Sequence, residues 1–578
     1  MSSTIPQLIR VERVEDLPVL WASLQRLGVS ELLDRHFPTH HLWRGELSFG
    51  EVVSVWLVFL LTQADHRLSR LQPWAEQNLL TLQALLGKTV RPLDFHDDRL
   101  ADILAALAQA QPWQAFENDL NGQTVRVYDL NASRFRLDST TANSAAAVAS
   151  EEGLLQFGHS KDRNDLPQLK VAIAALDPLG MPLSTLVVPG NRADDPLYVP
   201  QIRAVQQTFG PGGKTYIGDC KMAALDTRAY LASTQDFYLC PLSERQLSRA
   251  QRRELIQRVR LDQHELQTVA RPPEKPDDEP EVVALGFAVE ETLQAEVAGQ
   301  AITWTERRWV VRSLAFAEGQ EQQLERRLQQ AEHALKCLTQ RKQGKRVRAA
   351  EEVQQAVHSI LHQHRVEGLL NVVVHTTRQE RTRRRYRDRP AQAVLEQDQR
   401  LEVSRHEACI EAAKAEVGWQ VYGTNELGLA LDAVVWSYRG QYQIEKGWSR
   451  LKGQPLSLTP MYLVDEDRMR GLVLLLSLAL RMLTLLEWVV RQKLQQSGES
   501  LRGVYPGQAG RKTSRPSAEL LLEAFRGISL SVVEVAGPQR ILLTPLNALQ
   551  KKLLCLWELP SDLYHRLASQ PFSKPPPP

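Results

Sequence analysis

Between Arg134 and Cys240 the pattern of apolar residues restricts the fold more tightly than anywhere else in the chain. Three strand-like runs come first: Arg134-Phe135-Arg136-Leu137-Asp138, Leu169 to Leu176, and Leu183 to Val188. The last two are joined by the turn residues Asp177-Pro178-Leu179-Gly180, and the third is closed by Pro189-Gly190. A helical period follows from Leu197 to Phe209, with Ile202, Val205 and Phe209 on one side. Next come a short run, Thr215-Tyr216-Ile217-Gly218-Asp219, a second helix from Met222 to about Ala232, and a fifth strand, Phe237-Tyr238-Leu239-Cys240. The order β-β-β-α-β-α-β predicts a mixed sheet with helices on its faces, because antiparallel strands followed by α/β crossovers allow little else.

A chain of 578 residues exceeds one hydrophobic core, so this sheet is one part of a multi-domain α/β protein. Residues 1–120 read as a helical N-terminal domain. Asp16 and Pro18 start a helix that ends at Gly28, Ser48-x-x-Glu51 is a capping box, and a further helix from Arg99 to Gln111 stops at Pro112. His36, His40 and His41 are expected in a surface loop between helices. Residues 121–242 hold the first part of the sheet domain, and 243–428 an inserted domain. The insert carries a basic helical segment (Arg245 to Arg260), a proline-rich linker from Arg271 to Pro280, strands near Val283–Val289 and Trp309–Leu314, and a helix from about Gln320 to Gln340. Arginine-rich runs at 341–348 and 378–389 suit phosphate contacts or a solvated face equally. Residues 429–495 return to the sheet domain, and 496–578 form a polar C-terminal region with a proline tail.

The 70 basic and 68 acidic residues nearly cancel, so net charge excludes nothing. Five scattered cysteines form no C-x-x-C pair, which argues against a zinc site or disulfide framework and suits a reducing cytoplasm. The N-terminus lacks the pattern of a signal peptide. Gly471 to Val490 is long enough to span a bilayer, but Arg481 and Glu487 interrupt it, so a buried helix and no membrane partner are expected. Gly210-Pro211-Gly212-Gly213-Lys214-Thr215 fails as a phosphate loop: its first glycine would fall on Thr208, and it precedes a strand. No G-x-S-x-G is present to support a serine hydrolase.

The candidate chemistry lies in three acidic residues. Asp138 is expected at the end of the first strand and Asp219 at the end of the fourth; if those strands are neighbours, both side chains emerge at one edge. Tyr438 to Lys452 reads as one helix, on which Tyr438, Glu445 and Lys452 share an azimuth while Ile444, Trp448 and Leu451 form a separate apolar stripe. By spacing alone such a helix is more often an ordinary amphipathic helix with a solvated charged face. Three carboxylates in one place require cations, and all-oxygen ligands select Mg²⁺ or Mn²⁺. Two such ions about 3.5–4 Å apart serve phosphoryl transfer. Spacing alone leaves convergence open, since most strand-end aspartates are turn or cap residues.

Arg136-Leu137-Asp138-Ser139-Thr140-Thr141, Tyr216-Ile217-Gly218-Asp219-Cys220-Lys221-Met222 and Tyr438 to Lys452 together resemble the three catalytic blocks of DDE transposases of bacterial insertion sequences. The branch resembled has the signature Y-x-x-R-x-x-x-E-x-x-x-x-x-x-K. Tyr438, Glu445 and Lys452 match it, Gln441 stands at the arginine position, and Arg439 lies two residues earlier. The resemblance covers about residues 10–490. It implies a ribonuclease-H-like core with a strand-containing insertion and an N-terminal domain that binds element ends. It also implies Asp138, Asp219 and Glu445 as ligands of two Mg²⁺ (or Mn²⁺) ions, and Lys452, Tyr438 and Arg439 as DNA contacts. The partners it implies are the terminal inverted repeats, target DNA and a second protomer, in a bacterial, nucleoid-associated cytoplasmic protein. Trp448 either stacks on an unpaired base or packs in the core. A nuclease on the same fold and a decayed DNA-binding relative are the alternatives.

Overall fold

The strand Gln168–Leu176 is buried along its whole length, as a strand covered on both faces must be. In this computed structural model, which describes residues 7–39, 43–148, 150–159, 163–260, 265–271, 279–338, 350–383, 392–534 and 539–568, that strand lies inside a mixed sheet. It pairs antiparallel with Met181–Pro189 on one side and with Arg134–Asn143 on the other. Arg134–Asn143 pairs in parallel with Thr215–Ile217, which pairs in parallel with Phe237–Pro241. Counted along the chain, the spatial order is third, second, first, fourth, fifth. The mixed sheet is the one predicted, in the order expected of a ribonuclease-H-like core. Helices Tyr198–Phe209 and Leu225–Ser233 make the two crossovers. One expectation is corrected: Asp138 does not end its strand, which continues to Asn143. It is the partner strand that stops, at Ile217.

This sheet belongs to one of two compact units, formed by Met1–Cys240, Gln294–Trp304 and Ser437–Pro578. In it the capping box of Ser48 and Glu51 opens the helix Phe49–Gln63 as expected. Pro112 opens a helix, Ala110–Tyr128, where it was expected to end one. A proline in the first turn lacks only an N–H that has no intrahelical partner there. His36 ends the helix Val29–His36 and bonds Asp119 at 2.9 Å instead of lying in a loop, while His40 and His41 fall outside the described residues.

The helix Glu466–Ser497 is long and apolar enough to cross a membrane, yet 89% of its most apolar window is buried inside the protein. Its Gly471 lies against the backbone of Leu104 so closely that a Cβ there would fall 2.0 Å from the carbonyl oxygen. Arg481 of this helix and Glu117 are both buried, and the arginine's charge acts on the Glu117 carboxyl.

Two features were not foreseen. Gln7–Arg13, in a stretch that reads as helical, is a strand paired antiparallel with Ser529–Glu534, which also pairs with Gln539–Leu543. The polar C-terminal stretch buries apolar residues, including Leu521, Phe525, Leu530, Leu553 and Tyr564, and Tyr564 donates its hydroxyl to the carbonyl of Glu15.

The second unit, Pro241–Leu293 with Thr305–Trp436, contains the antiparallel pairing of Gln267–Arg271 with residues 281–286 and that of Trp419–Thr424 with residues 307–312. Helices Leu314–Leu338 and Ala350–His364 pack with the hairpin Leu370–Arg383/Gln392–Arg405 around Leu324, Leu328, Leu335, Val353 and Ile410. Several arginines of the basic helix Arg249–Arg260 are ion-paired, Arg249 with Glu244, Arg253 with Glu416 and Arg258 with Glu254. The linker residues 272–278, the basic run 341–348, residues 384–389 of the second basic run and the proline tail lie outside the described residues.

Candidate active site

The parallel register fixes where the two aspartates stand. Arg134 pairs with Thr215, Phe135 with Tyr216 and Arg136 with Ile217. Two residues past the last pair come Asp138, still within its strand, and Asp219, just beyond the end of the partner strand. Both are half-buried. Asp138 Oδ1 accepts the backbone N–H of Ser139 at 2.8 Å, and its Oδ2 accepts the indole N–H of Trp448 at 2.9 Å. Asp219 Oδ1 accepts the hydroxyl of Tyr198 at 2.6 Å and the backbone N–H of Lys221 at 2.8 Å.

Tyr438 to Lys452 is two helices and not one. Leu431–Arg439 ends before Gly440, and Tyr442–Lys452 begins after Gln441. The break is made from the sheet. The buried Arg136 guanidinium donates to the carbonyl of Ser437 at 2.5 Å, bonds Asp177, and reaches Gln441 Oε1 at 3.4 Å. It lies where a side chain at Gly440 would stand. Tyr438 and Arg439 therefore sit in the last turn of one helix, both half-buried, and Glu445 and Lys452 on the next. The single stripe expected of Tyr438, Glu445 and Lys452 is thus interrupted.

On the second helix Ile444, Trp448 and Leu451 are buried, as their stripe predicts, and Trp448 spends its N–H on Asp138. One turn back, Glu445 is exposed. Lys452 Nζ lies 3.4 Å from the hydroxyl of Thr140, two residues along the strand from Asp138.

Two tyrosines lie in the field of these acids. Burial first, then the charge of Asp219 and its hydrogen bond, then the charges of Asp138 and Asp194 raise the Tyr198 hydroxyl far above the usual phenol range. Burial, followed by Asp219 and, more weakly, Glu445, pushes Tyr438 up to about 12. Both phenols stay protonated and able to donate. A fourth carboxylate, Asp194, accepts from Ser139 at 2.9 Å and Lys170 Nζ at 2.7 Å. Burial raises it, and Lys170 and Ser139 more than offset this, holding it below its usual range.

As a donor set, Asp138, Asp219 and Glu445 are all hard oxygen ligands, the chemistry that suits Mg²⁺ or Mn²⁺. Among the described residues no three His, Cys, Asp or Glu side chains stand close enough together to hold one ion. The two aspartates are set by register and hydrogen bonds; the exposed Glu445 is not drawn onto them.

Sequence reasoning missed Tyr198, Asp194 and Lys170. A signal for the last exists: a lysine in the otherwise apolar run Leu169 to Leu176 needs a buried partner.

Residues 9–118 match a family described only as a domain of unknown function, DUF4277. No curated protein matches the chain. Among solved structures, a cryo-EM structure of the piggyBac transposase synaptic complex with hairpin DNA is similar at 6% identity and a TM-score of 0.34, over 88% of this chain and 79% of that one. That likeness is too weak to carry any inference. The stretch 129–482 matches the family described as transposase DDE domain. This match takes in more than half of the chain, with the paired strands of Asp138 and Asp219 and the helix of Glu445 all inside it, and the chain therefore belongs to the DDE transposase family.

Proposed function

We propose that this transposase binds the terminal inverted repeats of an insertion sequence, cleaves a phosphodiester bond at the element's end, and joins the freed 3′-hydroxyl to target DNA. The observation that supports this reading is the parallel pairing of the strand that carries Asp138 with the strand that leads into Asp219, together with the Trp448 bond from the Glu445 helix to Asp138. In this reading Asp138, Asp219 and Glu445 hold two divalent cations, Mg²⁺ or Mn²⁺, which supply charge stabilisation of the attacking and leaving oxygens when bound.

The chain's own groups have separate tasks. Tyr198 and the Lys221 N–H fix one oxygen of Asp219, and Trp448 and the Ser139 N–H fix both oxygens of Asp138, so neither carboxylate has to reorient. Lys452, beside Thr140, offers an ammonium to a backbone phosphate next to the acids. Tyr438 and Arg439 contribute a hydroxyl and a guanidinium from the preceding helix. Pairing two ends requires a second protomer, and the nucleoid is where the substrate resides.

The test compares Asp219→Asn and Glu445→Gln with the unaltered protein on a duplex carrying the element's end. Both variants should keep specific binding and lose Mg²⁺-dependent nicking and joining. Undiminished cleavage by Glu445→Gln would remove that residue from the mechanism. Cleavage without joined product in the unaltered protein would favour a nuclease.

A further inference from the structure

A second face of the Tyr442–Lys452 helix borders a cleft of about 670 Å³ that the reading above does not use. Tyr442, Lys446 and Arg450 succeed one another at intervals of four on that face, roughly a third of a turn round the axis from Glu445 and Lys452. Across the cleft stand Arg491 of the helix Glu466–Ser497 and Arg515 of the segment that follows Lys512–Thr513.

The charges there are arranged and not merely crowded. Glu487 receives Lys446 at 2.5 Å, Arg450 at 2.5 Å and Arg491 at 2.6 Å. Glu519 takes the Nε of Arg450 at 2.7 Å. Four cations against two carboxylates leave the cleft positive. The carboxylates hold the cations in fixed positions, so an entering anion meets donors already in place. Lys446 gives one hydrogen bond to Glu487 and has three to give. Arg515 is exposed, and its guanidinium makes no ion pair among the described residues.

Aromatic surface accompanies the charge. Tyr442 is 51% exposed at the mouth, and half-buried Trp488 lines the wall. Cations spaced along a groove beside aromatic faces are what an unpaired nucleic-acid strand takes, phosphates on the former and bases on the latter. A duplex would use the cations alone.

We infer that this cleft binds an unpaired strand of DNA, the flank leaving the cleavage site past the Glu445 helix. The inference rests on the transposase reading for the identity of the strand. Lys446 and Arg515 hold its phosphates, and Tyr442 carries a base.

The test measures fluorescence anisotropy of the full-length protein on three probes: a blunt duplex carrying the element's end, the same duplex with a five-nucleotide unpaired flank, and an oligo-dT. Flanked DNA should bind more tightly than blunt. Tyr442→Ala and Arg515→Glu should each weaken flanked-duplex and oligo-dT binding by about tenfold and leave blunt-duplex binding unchanged. Arg515→Glu should also lower the salt slope on flanked DNA by about one. Unaltered melting curves would show that both variants fold. Equal affinity for flanked and blunt ends, or variants indistinguishable from the unaltered protein on flanked DNA, would overturn the assignment. Loss of cleavage is a separate outcome. If the unaltered protein neither binds nor cuts the element's end, the transposition reading fails. If it does both without regard to the flank, only the cleft proposal fails.

Discussion

The indole N–H of Trp448 donates to Asp138 Oδ2 across 2.9 Å, and so couples the Glu445 helix to the strand of the first aspartate. Trp448→Phe keeps the aromatic packing and deletes that donor. A hydrogen bond to a charged group contributes about 1.5–3 kcal/mol, so single-turnover cleavage should fall roughly tenfold to a hundredfold, with little change in melting temperature. Unchanged cleavage by a folded variant would mean that the bond does not orient Asp138.

Glu487 is the shared anion of Lys446, Arg450 and Arg491. Burial acts to raise its pKa, but Arg450, Lys446 and Arg491 hold it below the ordinary carboxylate range. A depressed carboxyl contributes stability that is present above its unfolded value and lost as pH falls through its folded one. Glu487→Gln leaves the cations uncompensated at neutral pH and should cost about 3 kcal/mol in urea unfolding. The deficit should shrink in acid, where the unaltered protein also loses the charge.

Asp16 behaves in the opposite sense. It is buried, accepts the Thr62 hydroxyl at 2.8 Å, and is pushed up to about 7, chiefly by burial. Between the ordinary carboxyl value and about 7 the folded chain keeps a proton that the unfolded chain has released. Stability from this group is therefore complete in acid and declines by about 1.4 kcal/mol per pH unit until pH reaches about 7. Asp16→Asn should flatten that part of the stability profile and be the more stable form at pH 8. A profile with the same slope in both proteins would show that Asp16 ionises normally.

Gly471 allows the buried helix to lie on the backbone of Leu104. Gly471→Ala adds a methyl where a carbonyl oxygen already stands, and neither backbone can yield without shifting its helix. Despite alanine's better helix propensity, a loss of about 1–3 kcal/mol is expected in chemical denaturation. A stabilised variant would show that the two helices have room to separate.

Much of the sheet could be read from the sequence because its strands are local signals, runs of apolar residues with turns between them. The strand from Leu183 to Val188 and the helix after Leu197 fall close to their expected limits. The adjacency of the first and fourth strands was legible as a condition, and their parallel pairing fulfils it. Other features depend on contacts far apart in sequence. The break at Gly440 comes from Arg136, about three hundred positions earlier, and a helical period computed along Tyr438–Lys452 contains no trace of that guanidinium. Gln441, where the signature has an arginine, faces this buried arginine from the sheet. Tyr198 and Lys170 were passed over because each sits in an element whose neighbours looked purely structural.

The pairing of Gln7–Arg13 with Ser529–Glu534 has a consequence for biosynthesis. The first strand leaves the ribosome long before its mate is made. At 5–20 residues per second it waits about half a minute to two minutes, with the backbone groups that pair with Ser529–Glu534 left without that partner. A message broken or frameshifted before the codon for Ser529 yields a polypeptide in which Gln7–Arg13 lacks this mate, so the sheet closes only once Ser529–Glu534 has been made.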